Sequence, residues 1–373
     1  MLKVAAFHIE DLNSNHLNSI GLYLKEIYSY NQSNPKISLT FLGPNNSGIG
    51  KIPSIGLFKS KNKKGLVPIS FLTLLKLIPK ISYLKKFDIL WFQHIIYVLP
   101  ALLMFKRPKI VLIVHGRKAC NIIPYYYYPF KLFLVSFTEK IVIKRCSKII
   151  VLNNDDLNFY QKNFPKIKDR FVLVPTFYND RIFKLSNKEE AKKRLKLTNQ
   201  KIFIYTGRLV RSKGLEFCLK IFTAYLRANK AAVFLIIGSG DQKKPLENEA
   251  KRMKIANKVK FIDHLENRNL AIYYQAADVF LLSSAGEGLP ISCLEAMACG
   301  TPILAKCAVG INELVKNCIN GYIFDQNKEN INKIVAKAEK IFSNKKINIS
   351  TVESVAKFRS STVCPKIINE LKR

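Results

Sequence analysis

Two carboxylates, Glu287 and Glu295, stand eight positions apart in the segment Ser283–Pro302, SSAGEGLPISCLEAMACGTP. Carboxylates accept hydrogen bonds from hydroxyls, so one acid could hold one ligand segment while the other holds a second. Asp278–Leu282 (DVFLL) is a short apolar run bounded by a turn, as in a buried parallel strand. Pro290 suits a first helical position and Gly300 the residue just past a helix end. Glu287 then lies in the loop after the strand, and Glu295 about one and a half turns into the helix. In open α/β sheets ligands bind in the crevice at that end of the strands, and the free amides of a helix start favour phosphate. A loop glutamate and a helical glutamate facing water would supply the same two acids. The agreement of strand, loop, helix and caps favours a site.

A second constellation lies upstream, Gly207-Arg208-Leu209-Val210-Arg211-Ser212-Lys213-Gly214. It follows the strand pattern IFIYT and precedes a helix starting near Leu215. A strand-to-helix turn flanked by glycines lets backbone approach a phosphate closely. Arg208 as a planar fork and Lys213 as a point charge could neutralise a diphosphate leaving group without metal. Arg211 reads as solvated. Gly238-Ser239-Gly240 follows another strand, but a dinucleotide fingerprint would need glycine at Lys243, which argues against NAD. His115, followed by Gly116, ends the strand KIVLIV; His94 ends another.

These motifs resemble the nucleotide-sugar site of retaining GT-B glycosyltransferases of the large group-1 family, known as family 4. Glu287 and Glu295 match its E-x7-E motif, and Gly207–Gly214 looks like its GR-x4-KG loop. Gly310-Ile311-Asn312-Glu313 is similar to its glycine-rich turn. The resemblance implies that Glu287 holds sugar hydroxyls, Glu295 ribose hydroxyls, and Arg208 and Lys213 the diphosphate. Gly207, Gly238, Gly288 and Leu289 would line the nucleotide, with backbone around His264 meeting the base. His115 would bond the donor sugar or leaving phosphate. In relatives the acceptor hydroxyl attacks on the leaving-group face and the phosphate takes its proton, so no protein nucleophile is named. No cofactor or obligatory metal is implied; the donor would be a UDP-sugar or a GDP-sugar. Two departures stand out. The first strand-to-helix loop, EDLNSNHLNSIG with His16 and Gly21, lacks the family's paired glycine, and Pro175-Thr176-Phe177 replaces P-N-G.

Two series of apolar runs alternate with amphipathic segments, which predicts an α/β chain with parallel sheets. The runs are 3–7, 37–41, 88–92, 110–114, 148–152 and 171–174, then 202–206, 233–237, 259–262, 278–282, 302–305 and 322–324. By resemblance this is GT-B, two Rossmann-like domains facing across an interdomain cleft. An acceptor-side domain spans 1–183 and a nucleotide-sugar domain 184–373, the last helix packing back on the first. Ser186–Glu189 reads as a capping box for the helix EEAKKRLKL.

The formal net charge is +35, with 28 Lys and Arg against 9 Asp and Glu in residues 1–185, and 33 against 17 in 186–373. Such a field favours anionic partners, acidic lipid or phosphorylated substrate; compositional drift toward Lys, Asn and Ile competes as a cause. No RRM-like, KH-like or helix-turn-helix pattern is present, so no nucleic-acid partner is expected. Leu66–Lys86, with lysines among apolar residues, reads as an interfacial helix on acidic lipid or as a helix covering the first sheet. Tyr125–Tyr128 is a second candidate surface. The eight cysteines show no C-x-x-C spacing, and the N-terminus has no secretory pattern, so a reduced cytoplasmic setting at the inner membrane face is expected.

The expected function is retaining transfer from a nucleoside diphosphate sugar to a lipid-linked or oligosaccharide acceptor, in surface polysaccharide assembly (O-antigen, capsule or lipopolysaccharide). The alternatives are a GT-B nucleotide-sugar 2-epimerase and a non-catalytic nucleotide-sugar binder.

Overall fold

A computed structural model describes residues 1–8, 19–44, 52, 54–58, 81–95, 98, 101–102, 108–115, 129–228, 231–284, 286 and 288–373. Glu287, His16, Gly116, Tyr125–Tyr128 and the stretch 66–80 of the interfacial candidate lie outside these residues. Two compact units result: Met1–Pro175 with Ser360–Arg373, and Thr176–Arg359. The joint expected at 183/184 falls inside the second unit.

The first unit holds a seven-stranded parallel sheet in the order β3-β2-β1-β4-β5-β6-β7. Its strands are β1 (Leu2–Phe7), β2 (Ile37–Pro44), β3 (Ser54–Phe58), β4 (Ile89–Phe92), β5 (Lys109–Val114), β6 (Lys148–Val151) and β7 (Phe171–Leu173). β4 reads ILWF and is buried along its whole length, as expected of a strand covered on both faces. In the terminal helix Ser360–Lys372, Val363, Cys364, Ile367, Ile368 and Leu371 recur at three- and four-residue spacing and are buried. Ser360 Oγ donates to Glu26 Oε1 at 3.0 Å, and Lys148 Nζ to Glu370 Oε2 at 3.0 Å, fastening this helix to the first unit.

The second unit holds a six-stranded parallel sheet, β10-β9-β8-β11-β12-β13. The strands are β8 (Lys201–Thr206), β9 (Ala232–Ile237), β10 (Val259–Ile262), β11 (Val279–Leu282), β12 (Ile303–Lys306) and β13 (Gly321–Phe324). Counted within the unit the order is 3-2-1-4-5-6, so strand order reverses between β8 and β11, which pair through Val279–Phe203 and Phe280–Ile204. Phe203 anchors an aromatic core with Tyr225 at 4.9 Å, Phe222 at 5.3 Å and Phe342 at 5.6 Å between ring centres.

The helix Lys188–Arg194 is capped by Asn187, whose side chain accepts from Glu190 N at 3.1 Å. The capping residue is therefore one position beyond the expected Ser186. The amide oxygen of Asn187 stands three residues before the Glu190 amide, the spacing the cap requires. This helix is bolted to the amino-terminal edge of the sheet by Asp278. That buried carboxylate receives Lys192 Nζ at 2.8 Å, Lys188 Nζ at 3.4 Å and Ile202 N at 2.9 Å. Burial pushes the Asp278 pKa up, but the two lysines and the Ile202 amide outweigh it and the net direction is down. Lys188, itself driven down by burial, is the weaker partner; Lys192 carries the pairing. Among the described residues no helix is long and apolar enough to cross a membrane.

Candidate functional site

The crevice at the carboxyl ends of β8 and β11 collects most of the residues singled out in the sequence. Gly207 and Arg208 leave β8, with Gly207 N bonded to Ile237 O at 3.0 Å. The loop continues through a single 3-10 turn, Arg211–Lys213, to Gly214, and then the helix Leu215–Ala228. Tyr205 OH donates to Arg208 O at 3.1 Å, pinning the backbone beneath the arginine. The Arg208 side chain is exposed, Lys213 half-buried and Arg211 exposed.

Two glycines explain how three loops meet here. Gly214 has φ +64, and a methyl group on it would run into the carbonyl of Ser283 at the end of β11. Gly238 has φ +145, and its methyl would strike the carbonyl of Gly207. Both conformations suit glycine, and both bring backbones closer than any side chain permits. Leu209 N donates to Ser239 O at 2.8 Å, and Gln242 N returns to Leu209 O at 2.9 Å. Ser284 Oγ reaches Ser212 O at 3.5 Å. The Gly207–Gly214 loop is thus sandwiched between the turn after β9 and the segment after β11. Residues some seventy positions apart in sequence become neighbours because β8 and β11 pair.

Past β11 the chain runs through Gly288 and the buried Leu289 to the helix Ile291–Ala298. Pro290 is its N-cap with extended backbone, not its first helical residue. At the other end Gly300, φ +84, completes a Schellman motif: Gly300 N bonds Met297 O at 3.0 Å and Thr301 N bonds Ala296 O at 2.9 Å. Cys293, Leu294, Ala296, Met297 and Ala298 are all buried, so Glu295 is a carboxyl set among buried apolar side chains. It is only 8% exposed, and burial lifts its pKa to about 8. Tyr274 OH, on the helix Asn267–Ala276, donates to Glu295 Oε2 at 3.2 Å and acts in the opposite sense. The same phenol lies 2.5 Å from Thr206 Oγ1, in the residue before Gly207. Tyr274 and Thr206 carry no sequence signal of their own, because a tyrosine in YYQAADVFLL and a threonine closing IFIYT read as core. His264 lies exposed in the loop after β10, two strands from β8 in the sheet order.

His115 belongs to the first unit, at the end of β5. The first sheet also reverses, between β1 and β4, and His8, Gln93, His94 and His115 all follow β1, β4 or β5 there. His115 Nε2 is 2.9 Å from Gln93 Oε1, and Tyr23 packs edge-on at 5.7 Å. Burial, then the charges of His94 and His8, lower the His115 pKa to about 3, so the ring is neutral at physiological pH. Gln93, buried beneath it, was not singled out by motif. The Gly310-containing turn is a one-turn helix, Ile311–Leu314, with Gly310 at φ +77 as its N-cap.

Residues 186–358 match the family described as Glycosyl transferases group 1. An uncharacterized glycosyltransferase of Haemophilus influenzae is 27% identical over 238 residues, covering 62% of this chain and 62% of that protein. The chain therefore matches about three fifths of the length of that relative. The sucrose-phosphate synthase structure from Thermosynechococcus elongatus aligns with TM-score 0.82 at 17% identity, covering 100% of this chain and 98% of that one. Anabaena HepE, crystallised with UDP-glucose, aligns with TM-score 0.78 at 16% identity over 100% of both chains. The fold is the two-unit Rossmann-like architecture of GT-B glycosyltransferases.

Proposed function

We propose that this chain is a retaining glycosyltransferase of family 4 that moves a sugar from a nucleoside diphosphate sugar to an acceptor hydroxyl. The observation that carries the reading is the junction at β8 and β11. There a cationic glycine-flanked loop lies against the segment leading to the helix of Glu295. Arg208 and Lys213 would stabilise the charge that develops on the departing diphosphate, a term effective when donors are already in place. Glu295 would take the ribose hydroxyls and Glu287 those of the sugar. Gly207, Gly238, Gly288, Leu289 and the backbone at His264 would line the nucleotide. His115, neutral, would hydrogen-bond the donor sugar or the leaving phosphate. The acceptor's proton passes to that phosphate, with no covalent enzyme intermediate and no obligatory metal.

A UDP-sugar is the donor we assign, supported by the UDP-glucose bound to HepE. The acceptor we assign is a lipid-linked or surface-polysaccharide intermediate at the inner membrane face, supported by the net charge of +35. A thermal-shift panel of nucleotides and nucleotide sugars tests the donor: at about 100 times its Kd a cognate ligand adds about 2.7 kcal/mol. A rise with UDP and its sugars alone is expected; no rise with any nucleotide overturns the reading. Epimer formed from donor alone would replace it with an isomerase.

A further inference from the structure

We infer that Thr206 and Tyr274 form a positioning chain that fixes the Glu295 carboxyl for its hydroxyl ligand and sets the pH range over which it binds. This rests on the donor-site reading above. An ionised Glu295 can only accept, so in that form the one phenolic hydrogen goes to Oε2 at 3.2 Å and Thr206 donates to the phenolic oxygen at 2.5 Å. The result is an ordered line, Thr206 to Tyr274 to Glu295, in which each bond polarises the next. It runs from the last residue of β8, across the helix Asn267–Ala276, to the helix Ile291–Ala298.

Tyr274 is fully buried and cannot swing away. Phe183 packs edge-on against its ring at 5.8 Å and Phe280 lies tilted to it at 6.3 Å, while Thr301 Oγ1 donates to its carbonyl at 2.5 Å. The chain holds one carboxyl oxygen, Oε2. No described residue donates to Oε1, which is left for a ligand.

The titratable groups bearing on this line are few. Tyr274 faces Glu295 from the neighbouring helix; Cys293 and Cys299 flank it on its own segment, and both bear on Tyr274. Among the described residues no lysine, arginine or histidine pairs with Glu295. Burial therefore governs the carboxyl, opposed by the Tyr274 bond alone. Near neutral pH the empty site holds a mixture of acid and carboxylate. The carboxylate accepts from a diol more strongly than the acid, so binding of a ribose expels a proton to solvent. Without Tyr274 the carboxyl would be both looser and harder to ionise.

The test is a carbon-13 carboxyl NMR titration of the ligand-free full chain, paired with UDP and GDP calorimetry at pH 7. Tyr274→Phe should move the Glu295 midpoint upward by roughly half to one pH unit, from one lost hydrogen bond. It should weaken UDP binding about 5- to 10-fold, on the scale of that same bond. Thr206→Val should act in the same direction, and Thr206→Ser should restore the wild-type midpoint. A Tyr274→Phe midpoint equal to wild type overturns the chain even if UDP binds normally. If the midpoint moves while wild type binds neither nucleotide, the donor-site reading fails instead, and the assignment of a ribose to Glu295 falls with it.

Discussion

Replacing Gly214 with alanine probes the packing that assembles the candidate site without touching a charged group. The residue sits at φ +64, where an L side chain costs about 1–2 kcal/mol. The new methyl also meets the Ser283 carbonyl, and that contact cannot be relieved by rotating a side chain, because the obstacle is backbone. Overpacking of this kind costs about 1–3 kcal/mol. The sum, about 2–5 kcal/mol, corresponds to a fall in Tm of roughly 5–15 °C for a domain of this size. The strain is relieved by parting the Arg208–Lys213 loop from the end of β11. UDP affinity should therefore drop by about 30-fold or more even well below Tm, since about 2 kcal/mol at the junction is already that factor. Differential scanning calorimetry gives the first quantity and isothermal titration with UDP at 20 °C the second. A variant with unchanged Tm and unchanged affinity would refute the close approach of the two loops. A lower Tm with intact affinity would refute its bearing on the ligand.

Arg208→Ala and Lys213→Ala should each abolish transfer and weaken nucleotide binding about 10- to 100-fold, as for lost charge-assisted bonds, with Tm within about 2 °C of wild type; radiolabelled sugar transfer and calorimetry check this. Asp278→Ala should destabilise the second unit by about 3–5 kcal/mol, because Lys192 is left buried without its partner. Its contribution is present above the unfolded carboxyl pKa and lost as pH falls through the depressed folded value, so acid unfolding followed by circular dichroism should show it. Glu295 has the opposite sign. Its folded pKa of about 8 exceeds the ordinary 4.5, so folding stability should decline as pH rises from 4.5 to 8, and Glu295→Gln should flatten that decline in urea titrations. His115 is neutral down to about pH 3, so His115→Gln should lower kcat/KM without altering the shape of its profile between pH 5 and 8. The chain should float with acidic liposomes at physiological salt; failure to do so would remove the membrane assignment.

Much of this architecture was legible because parallel strands buried on both faces are short continuous apolar runs, and twelve such runs became strands. β3 was not among them: SIGLF contains a serine and a glycine, follows Pro53, and pairs only at the sheet edge through a shifted register at Gly43 and Pro44. The loop of Arg208 and Lys213 was readable because glycines and cations at fixed local spacing describe a turn. Glu295 was readable for the same reason, being tied to a helix with a proline before it and a glycine after. What supports Glu295 was not. Thr206 and Tyr274 are 68 positions apart, and nothing local to either marks the bond between them. Asp278 read as the first residue of an apolar strand. Its partners, Lys188 and Lys192, face it only because they share one side of a helix anchored at the amino-terminal ends of β8 and β11. The His8, Gln93, His94 and His115 group required the order β1-β4-β5, which apolar periodicity does not specify.

The most direct test of the central claim is calorimetric titration of wild type and Glu295→Ala with UDP and with 2′,3′-dideoxyuridine diphosphate. With a carboxylate holding the ribose, wild type should bind UDP at least 10-fold more tightly than the dideoxy compound, two lost hydroxyl bonds being worth about 2 kcal/mol or more. Glu295→Ala should bind both weakly and equally. Equal affinity of wild type for the two nucleotides, or an unchanged preference in the variant, would contradict the assignment of this crevice to a nucleoside diphosphate sugar.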